Sequence, residues 1–267
     1  MYKTYWGMEF NPFDKNLAVK DYFKSNDFNQ ALSRLDYLKT TKGIGLFTGF
    51  AGTGKTYSLR CFSSSLNSNL YKVVYIPLST VTVLEFYKAI AYGLGVEMVY
   101  KKVDLFKNIQ ERIISLAKDK KITPTFIIDE AQYLKTDILN DLKILLNFEM
   151  DSKSYAILIL SGQPVLNDIL SKQTHEALKQ RVVINYNFAG ISKQEVNDYI
   201  ASRLQLCGVH SSIFNSNAIE SLYSCCNGSI RKLNTMIEKS LMIGYQRKMD
   251  EIDTEVIMAA QNETEFI

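Results

Sequence analysis

The stretch Gly49-Phe50-Ala51-Gly52-Thr53-Gly54-Lys55-Thr56 constrains this chain more than any other. It fits G-x-x-x-x-G-K-[ST] at every fixed position. A short apolar run, Ile44 to Thr48, precedes it, and a helical pattern from Tyr57 to Leu66 follows. Strand, glycine loop and helix is the setting in which this pattern becomes a phosphate site rather than a glycine-rich turn. The glycines, Gly49, Gly52 and Gly54, let successive backbone N–H groups from residues such as Thr53 surround a phosphate. The helix start adds its positive dipole end. Lys55 is expected to reach the β- and γ-phosphates of ATP, and the Thr56 hydroxyl to ligate Mg²⁺.

A loop of this kind needs a sheet, and the chain supplies one. Tyr71 to Pro77, Thr125 to Ile128, Tyr155 to Leu160 and Arg181 to Tyr186 read as further strands. Between them lie helical patterns over about Thr82 to Tyr92, stopped at Gly93 and Gly95, over 103–118, and from a Thr136 cap through Leu146. Alternation of this kind predicts an α/β domain, a mainly parallel five-stranded sheet between helices. Beyond residue 191 the strands stop. A Ser192/Glu195 capping box and caps at Ser216, Ser229 and Asp253 predict four helices, a small all-helical lid. The expected organisation is 1–40 as an aromatic-rich extension packing on the domain that follows, 41–190 as the α/β domain, and 191–267 as the lid. After Phe13 a polar, extended segment is expected, and residues 26–39 have helical spacing.

With 46% hydrophobic and 22% charged residues, the 267-residue chain has ordinary globular composition and length enough for a full core. A net charge of +3 does not by itself demand a nucleic-acid partner. The four cysteines show no C-x-x-C spacing and there are two histidines, which argues against a zinc site or a disulfide framework. No signal-peptide core is evident and no apolar run nears the ~20 residues of a membrane span. A soluble, cytoplasmic protein is expected.

The strand Phe126-Ile127-Ile128 delivers Asp129 and Glu130 to its C-terminal edge, where open α/β sheets bind ligands. Asp129 is expected to hold Mg²⁺ and Glu130 to orient the attacking water. Alone, the pair would read as a helix cap; behind a phosphate loop it reads as catalytic. The next strand ends in Ser161-Gly162-Gln163-Pro164. Gln163, ahead of Ser161, is the candidate for sensing the γ-phosphate, with an ordinary turn as the competing explanation. Arg181 before the last strand and Arg231 in a lid-helix first turn could reach a γ-phosphate, in the same subunit or a neighbour, or be surface ion-pair partners.

With these motifs in place the chain resembles the AAA+ ATPases, specifically the ExeA/TnsC-like group. The resemblance is carried by Tyr5-Trp6-Gly7-Met8 with Asn11-Pro12-Phe13, and by Ala31-Leu32-Ser33-Arg34-Leu35. Asp129-Glu130-Ala131-Gln132, Gly162-Gln163-Pro164 and Leu178-Lys179-Gln180-Arg181-Val182 follow in order, then Tyr199-Ile200-Ala201-Ser202-Arg203-Leu204 and Gly228-Ser229-Ile230-Arg231. It implies a sensor 1 position at Gln163, an arginine-finger region at Arg181 and the sensor 2 arginine at Arg231. It also implies homo-oligomers, rings or helical filaments, with ATP at subunit boundaries. At Ser229-Ile230-Arg231 the chain departs from secretion-type relatives, which usually have a proline before the arginine.

The function expected from this resemblance is regulation of DNA transposition: an ATPase that assembles on duplex DNA and recruits or activates a transposase or a target-selection protein. The alternatives are a secretion-associated ATPase, a type that continues into a membrane span where this sequence stops at Ile267, and a helicase-loader-type ATPase. For DNA, residues 98–121 carry Lys101, Lys102, Lys107, Arg112, Lys118, Lys120 and Lys121 against Asp104, Glu111 and Asp119. Lys101 and Lys102 at a helix start are the expected phosphate contacts, repeated along a polymer and without base readout. A solvated helix face is the competing explanation.

Overall fold

The computed structural model describes residues 1–14, 21–77, 79–149 and 153–264. In chain order the elements are α1 (Tyr2–Tyr5), α2 (Asn26–Thr41), β1 (Gly43–Gly49), α3 (Lys55–Ser65), β2 (Tyr71–Ile76), α4 (Val83–Leu94), α5 (Lys102–Lys118) and β3 (Thr123–Ile128). There follow α6 (Thr136–Leu145), β4 (Ile157–Gly162), α7 (Val165–Ser171), α8 (Glu176–Lys179), β5 (Val182–Phe188), α9 (Lys193–Leu206), α10 (Ser216–Cys226), α11 (Ile230–Gln246) and α12 (Thr254–Asn262). The extended segment expected after Phe13 falls largely at residues 15–20, outside the described residues.

Two compact units result. One comprises Gln30–Phe50 and Lys55–Phe188. Its sheet among the described residues has five strands in the order β2-β3-β4-β1-β5, every pairing parallel. This is the P-loop AAA+ α/β fold. The strand residues alternate between two cores, as period-two geometry requires. Ile44, Leu46, Phe126, Ile128, Leu158 and Leu160 face α4 to α8, while Phe47, Ile127, Ile157 and Ile159 face α2 and α3. Because both faces are covered, β4 is buried at every residue and its sequence is apolar until Ser161. The consequence for chemistry is that the strand ends, not the faces, are left to carry polar groups.

Two local expectations change. Gly93 does not stop α4; the left-handed cap is Gly95, at φ 68°, where a side chain would be strained. Gly93 lies inside the helix because an added Cβ would come within 2.3 Å of Val74, so the glycine serves helix-to-strand contact. Thr136 is the first residue of α6 rather than its cap, which is Lys135 without a side-chain bond.

The other unit comprises Met1–Asn29, Ala51–Gly54 and Ala189–Ile267. Ser192 and Glu195 form the expected capping box of α9, and Ser229 and Asp253 cap α11 and α12. Ahead of α10 the cap is Asn215, accepting from the Ala218 N–H at 2.8 Å, and not Ser216. Several of the N-terminal aromatics belong to the helical unit. Trp6, Met8 and Phe13 lie in the core of the helical unit with Val196, Leu233 and Leu241, and the Trp6 indole donates to the Leu241 carbonyl at 2.9 Å. That bond lets the indole be buried without an unsatisfied donor. The α/β unit spans Gln30–Phe50 and Lys55–Phe188, where 41–190 was the expected range. None of the four cysteines is in a disulfide, and all four are buried. Among the described residues no helix is long and apolar enough to cross a membrane.

Candidate functional site

The site is built at the C-terminal ends of β1, β3 and β4. Strand β3 ends at Ile128, so the next residue leaves the apolar interior at the sheet edge. Asp129 is nonetheless only 5% exposed, and its carboxylate is surrounded by donors. Oδ2 accepts from the Thr56 hydroxyl at 2.9 Å and from the Tyr75 hydroxyl at 3.3 Å. Oδ1 accepts from the Ser161 hydroxyl at 2.9 Å and from the Glu130 N–H at 3.0 Å. The Ser79 hydroxyl donates to the Asp129 carbonyl at 2.6 Å. Donors therefore come from α3, β2 and β4, and a buried carboxylate so surrounded is held in one orientation. The same proximity acts on Tyr75, whose hydroxyl is pushed above its ordinary pKa by burial first, then by the charges of Asp129 and Glu130.

Glu130 is exposed and adopts φ 51°, the left-handed region that few non-glycine residues occupy. That turn directs the chain from β3 into a short 3-10 segment, Ala131–Tyr133, and parts the two neighbouring carboxylates: Asp129 is buried, Glu130 is not. Gln132 donates from Nε2 to Glu130 Oε2 at 2.6 Å and accepts from the Gln163 N–H at 3.0 Å.

Lys55, 7% exposed in the first turn of α3, donates from Nζ to the carbonyls of Gly49 at 2.6 Å and Phe50 at 2.8 Å. The loop curls back over its own lysine. Gly52 at φ 84° and Gly54 at φ 102° provide that curvature, which a Cβ would obstruct. At Gly52 an added Cβ would also lie 2.3 Å from Ser229 Oγ and 2.9 Å from Arg231 Cβ. Within the helical unit the Arg231 N–H donates to the Gly52 carbonyl at 3.3 Å, and the Ser229 hydroxyl to that of Ala51 at 3.2 Å. The start of α11 is thereby tied to the tip of the glycine loop.

Thr56 and Asp129 also present what Mg²⁺ requires, a hydroxyl and a carboxylate oxygen already 2.9 Å apart. These residues would hold the ion, which when bound neutralises charge developing on the phosphate oxygens.

Of the residues expected from the sequence, Thr56 donates to Asp129, Glu130 adjoins Asp129, and Lys55 precedes Thr56 in α3. Ser161, the second choice for a sensor, touches Asp129, while Gln163 reaches the cluster through its backbone and Gln132. Arg181 donates from Nη1 to the Lys143 carbonyl at 2.5 Å, at the last turn of α6. Lys101 caps α5 and Lys102 opens it, with the Lys102 ammonium 2.5 Å from Asp141. Tyr75 and Ser79 carry no motif of their own and became visible only through their bonds to Asp129, and Gln132, the last residue of the Asp129-Glu130-Ala131-Gln132 motif, gained a role of its own only through its bond to Glu130. A polar row at the end of β1 was equally hidden: Asn167 donates to Thr48 Oγ1 at 2.9 Å, and Thr48 to Asn187 at 3.2 Å.

Comparison with known proteins agrees with this geometry. Residues 38–170 match a family described as an AAA domain. General secretion pathway protein A of Aeromonas hydrophila is 30% identical over 253 residues, which are 92% of this chain and 45% of that protein. The chain spans less than half the length of the curated relatives it matches. Among solved structures, Cdc6p of Pyrobaculum aerophilum superposes with a TM-score of 0.70 at 16% identity, covering 96% of this chain and 71% of that one. The Aeropyrum pernix ORC1 protein, solved in complex with DNA, gives 0.66 at 17% identity, covering 95% and 69%. These likenesses show the AAA+ P-loop fold.

Proposed function

We propose that this AAA+ ATPase is a nucleotide-timed assembler on duplex DNA, a regulator of DNA transposition that recruits or activates a transposase. The observation that carries the timing is the Asp129 centre: one carboxylate gathers Thr56 from the nucleotide loop's helix and Ser161 from the neighbouring strand. A change at the γ-phosphate is thereby felt by three elements at once. Lys55 and Thr56 bind ATP·Mg²⁺ with Asp129. Glu130 orients the attacking water and accepts its proton as the bond to the γ-phosphorus forms and the bond to the β-phosphate oxygen breaks, leaving ADP and phosphate. Arg231, tied to the glycine loop through its backbone, serves as the γ-phosphate-sensing arginine of its own subunit. Arg181 acts on the nucleotide of a neighbouring subunit, exchanging its bond to Lys143 for one across the boundary, and Gln163 relays the nucleotide state. Rings or filaments follow from such shared sites. Lys101, with Lys102, grips phosphate along the duplex without reading bases. A structural relative solved with DNA supports this placement of function, as does the exposure of Lys101. A cytoplasmic setting suits this reading.

A second reading, a secretion-associated ATPase, is favoured by the 30% identity to General secretion pathway protein A. Incubating the protein with ATP and unrelated duplexes at low salt separates the two. Binding and ordered polymers under the electron microscope, prolonged in Glu130→Gln, are expected for the first; intact ATP hydrolysis with no duplex binding would transfer the assignment to the second. Arg181→Ala is expected to impair hydrolysis in the assembly while sparing nucleotide binding to the isolated subunit.

A further inference from the structure

Gln132 has no part in the mechanism so far, yet it lies between two groups that do. Its Nε2 is 2.6 Å from Glu130 Oε2, and its Oε1 accepts from the Gln163 N–H at 3.0 Å. The orientation of this amide follows from chemistry. A backbone N–H can only donate, so the atom it meets is the amide oxygen, and the nitrogen necessarily faces the carboxylate. One end of the side chain is thus anchored to the turn after β4, and the other fixes an oxygen of the exposed Glu130. Glu130 needs such fixing because it stands at the surface in a left-handed turn, where nothing else among the described residues is bonded to its carboxylate.

Gly162 makes room for the bridge. Its neighbour Ser161 is committed to Asp129, and at Gly162 an added Cβ would come 2.5 Å from Gln132 Oε1, 3.0 Å from Leu166 Cδ2 and 3.3 Å from the Gln132 nitrogen. This glycine has no positive φ to explain it; space for the glutamine does. Two residues on different strands' ends therefore have compositions that make sense together and not separately.

We propose that Gln132 is a positioning residue for hydrolysis, aiming the Glu130 carboxylate at the attacking water and making that aim depend on the β4–α7 turn at Gln163. The inference rests on the base-like role given to Glu130. When the turn shifts, the amide shifts with it and Glu130 loses its alignment, so the turn that follows the sensor strand gates the base through a single side chain. A displacement of about 1 Å at a catalytic group is enough to cost ~100-fold in rate.

The test is ATP hydrolysis by the full chain, with kcat and KM separated and nucleotide binding and melting temperature measured alongside. Gln132→Ala is expected to lower kcat by ~10- to 100-fold, the scale seen when a residue orienting a functional ligand is removed, with KM and nucleotide affinity within about twofold. Gln132→Glu keeps length, volume and the acceptor for the Gln163 N–H but removes the donor toward Glu130, and is expected to be as slow as Ala. Gly162→Ala is expected to reproduce the kcat loss with Gln132 still present. Wild-type kcat in Gln132→Glu would reduce the residue to a spacer and overturn the proposal. So would an unchanged or raised kcat in Gln132→Ala, or a loss confined to KM or melting temperature. Glu130→Gln serves as reference. If it hydrolyses normally, the role of Glu130 fails and the proposal with it; if it is inactive while the Gln132 variants match wild type, only the positioning role falls.

Discussion

The Asp129 centre and the start of α5 both gather charged residues near a helix N-terminus, and they are built in opposite ways. Around Asp129 a buried carboxylate draws donors from three separate elements, and every oxygen has a partner. Around α5 most of the charges are exposed, and several are already engaged within the chain: Lys102 pairs with Asp141, the half-buried Arg112 donates to the Leu94 carbonyl at 3.3 Å, and Lys118 pairs with Glu149. Lys101, Lys107, Lys120 and Lys121 are the exposed remainder of that basic run. Convergence of long-range partners on one buried group marks chemistry, because it costs desolvation that only a function or a tight network offsets. A run of like charges along one helix makes no such demand. Geometry therefore singles out the Asp129 centre, and does not single out the start of α5.

The largest effect that could break this contrast belongs to Asp129. Asp129→Ala removes the shared partner of Thr56, Tyr75 and Ser161, and hydrolysis is expected to fall by ~100-fold or more, as when one preorganised electrostatic group is lost. A phosphate-release assay reads it directly, and a loss below ~10-fold would show that the convergence on Asp129 serves structure rather than hydrolysis. Ser161→Ala comes next. Deleting a hydrogen bond to a charged group costs about 1.5–3 kcal/mol, so a ~10- to 100-fold fall in kcat is expected. Gln163→Ala should do less, since its contact to Gln132 is through the backbone and survives the substitution. The reverse order would return the sensing role to the Gln163 side chain.

On the other side of the comparison, Lys101→Ala is expected to weaken duplex binding for all sequences alike and to lower the salt slope by ~1. Lys102→Ala should have a smaller effect because its ammonium is already paired, and Asp141→Asn should strengthen binding by releasing it. Titrations at several salt concentrations settle the ranking. Equal effects from the two lysines would mean that the Asp141 pair opens on DNA.

The parts legible in the sequence were those specified by neighbours along the chain. The glycine loop, the alternation of β3 and β4 and the Ser192/Glu195 box each depend on residues within a few positions of one another. The position of Asp129 at a strand's C-terminal edge could be read from the apolar run before it, but its partners Tyr75 and Ser161 could not. What stayed hidden depends on contacts between distant residues. Trp6, Met8 and Phe13 announce an apolar surface, but their spacing does not say which of two cores receives it; the Leu241 carbonyl decides that. Lys102 gives no sign of Asp141, nor Gly162 of Gln132. Thr136 and Ser216 were displaced by one residue as caps because a hydroxyl just inside a helix looks, in sequence, like one just outside it.

The smallest effect concerns His175, which inverts the arrangement around Asp129: a titratable group 2% exposed with no hydrogen-bond partner at Nδ1 among the described residues. Burial, and secondarily the charge of Lys172, push its pKa below the ordinary histidine value. In the unfolded chain the imidazole takes up a proton near pH ~6.5, while the folded one resists until lower pH. The unfolded state therefore binds more protons between those two values, and stability falls as pH drops through that window, the loss being complete below the folded pKa. Urea midpoints at pH 7.5 and 5.5 are expected to differ by more in the wild type than in His175→Leu, which has no proton to gain. Parallel behaviour of the two proteins would show that the acid sensitivity arises elsewhere. The comparison would then stand on the Asp129 centre alone, since burial of His175 would have been shown to carry no measurable cost on protonation.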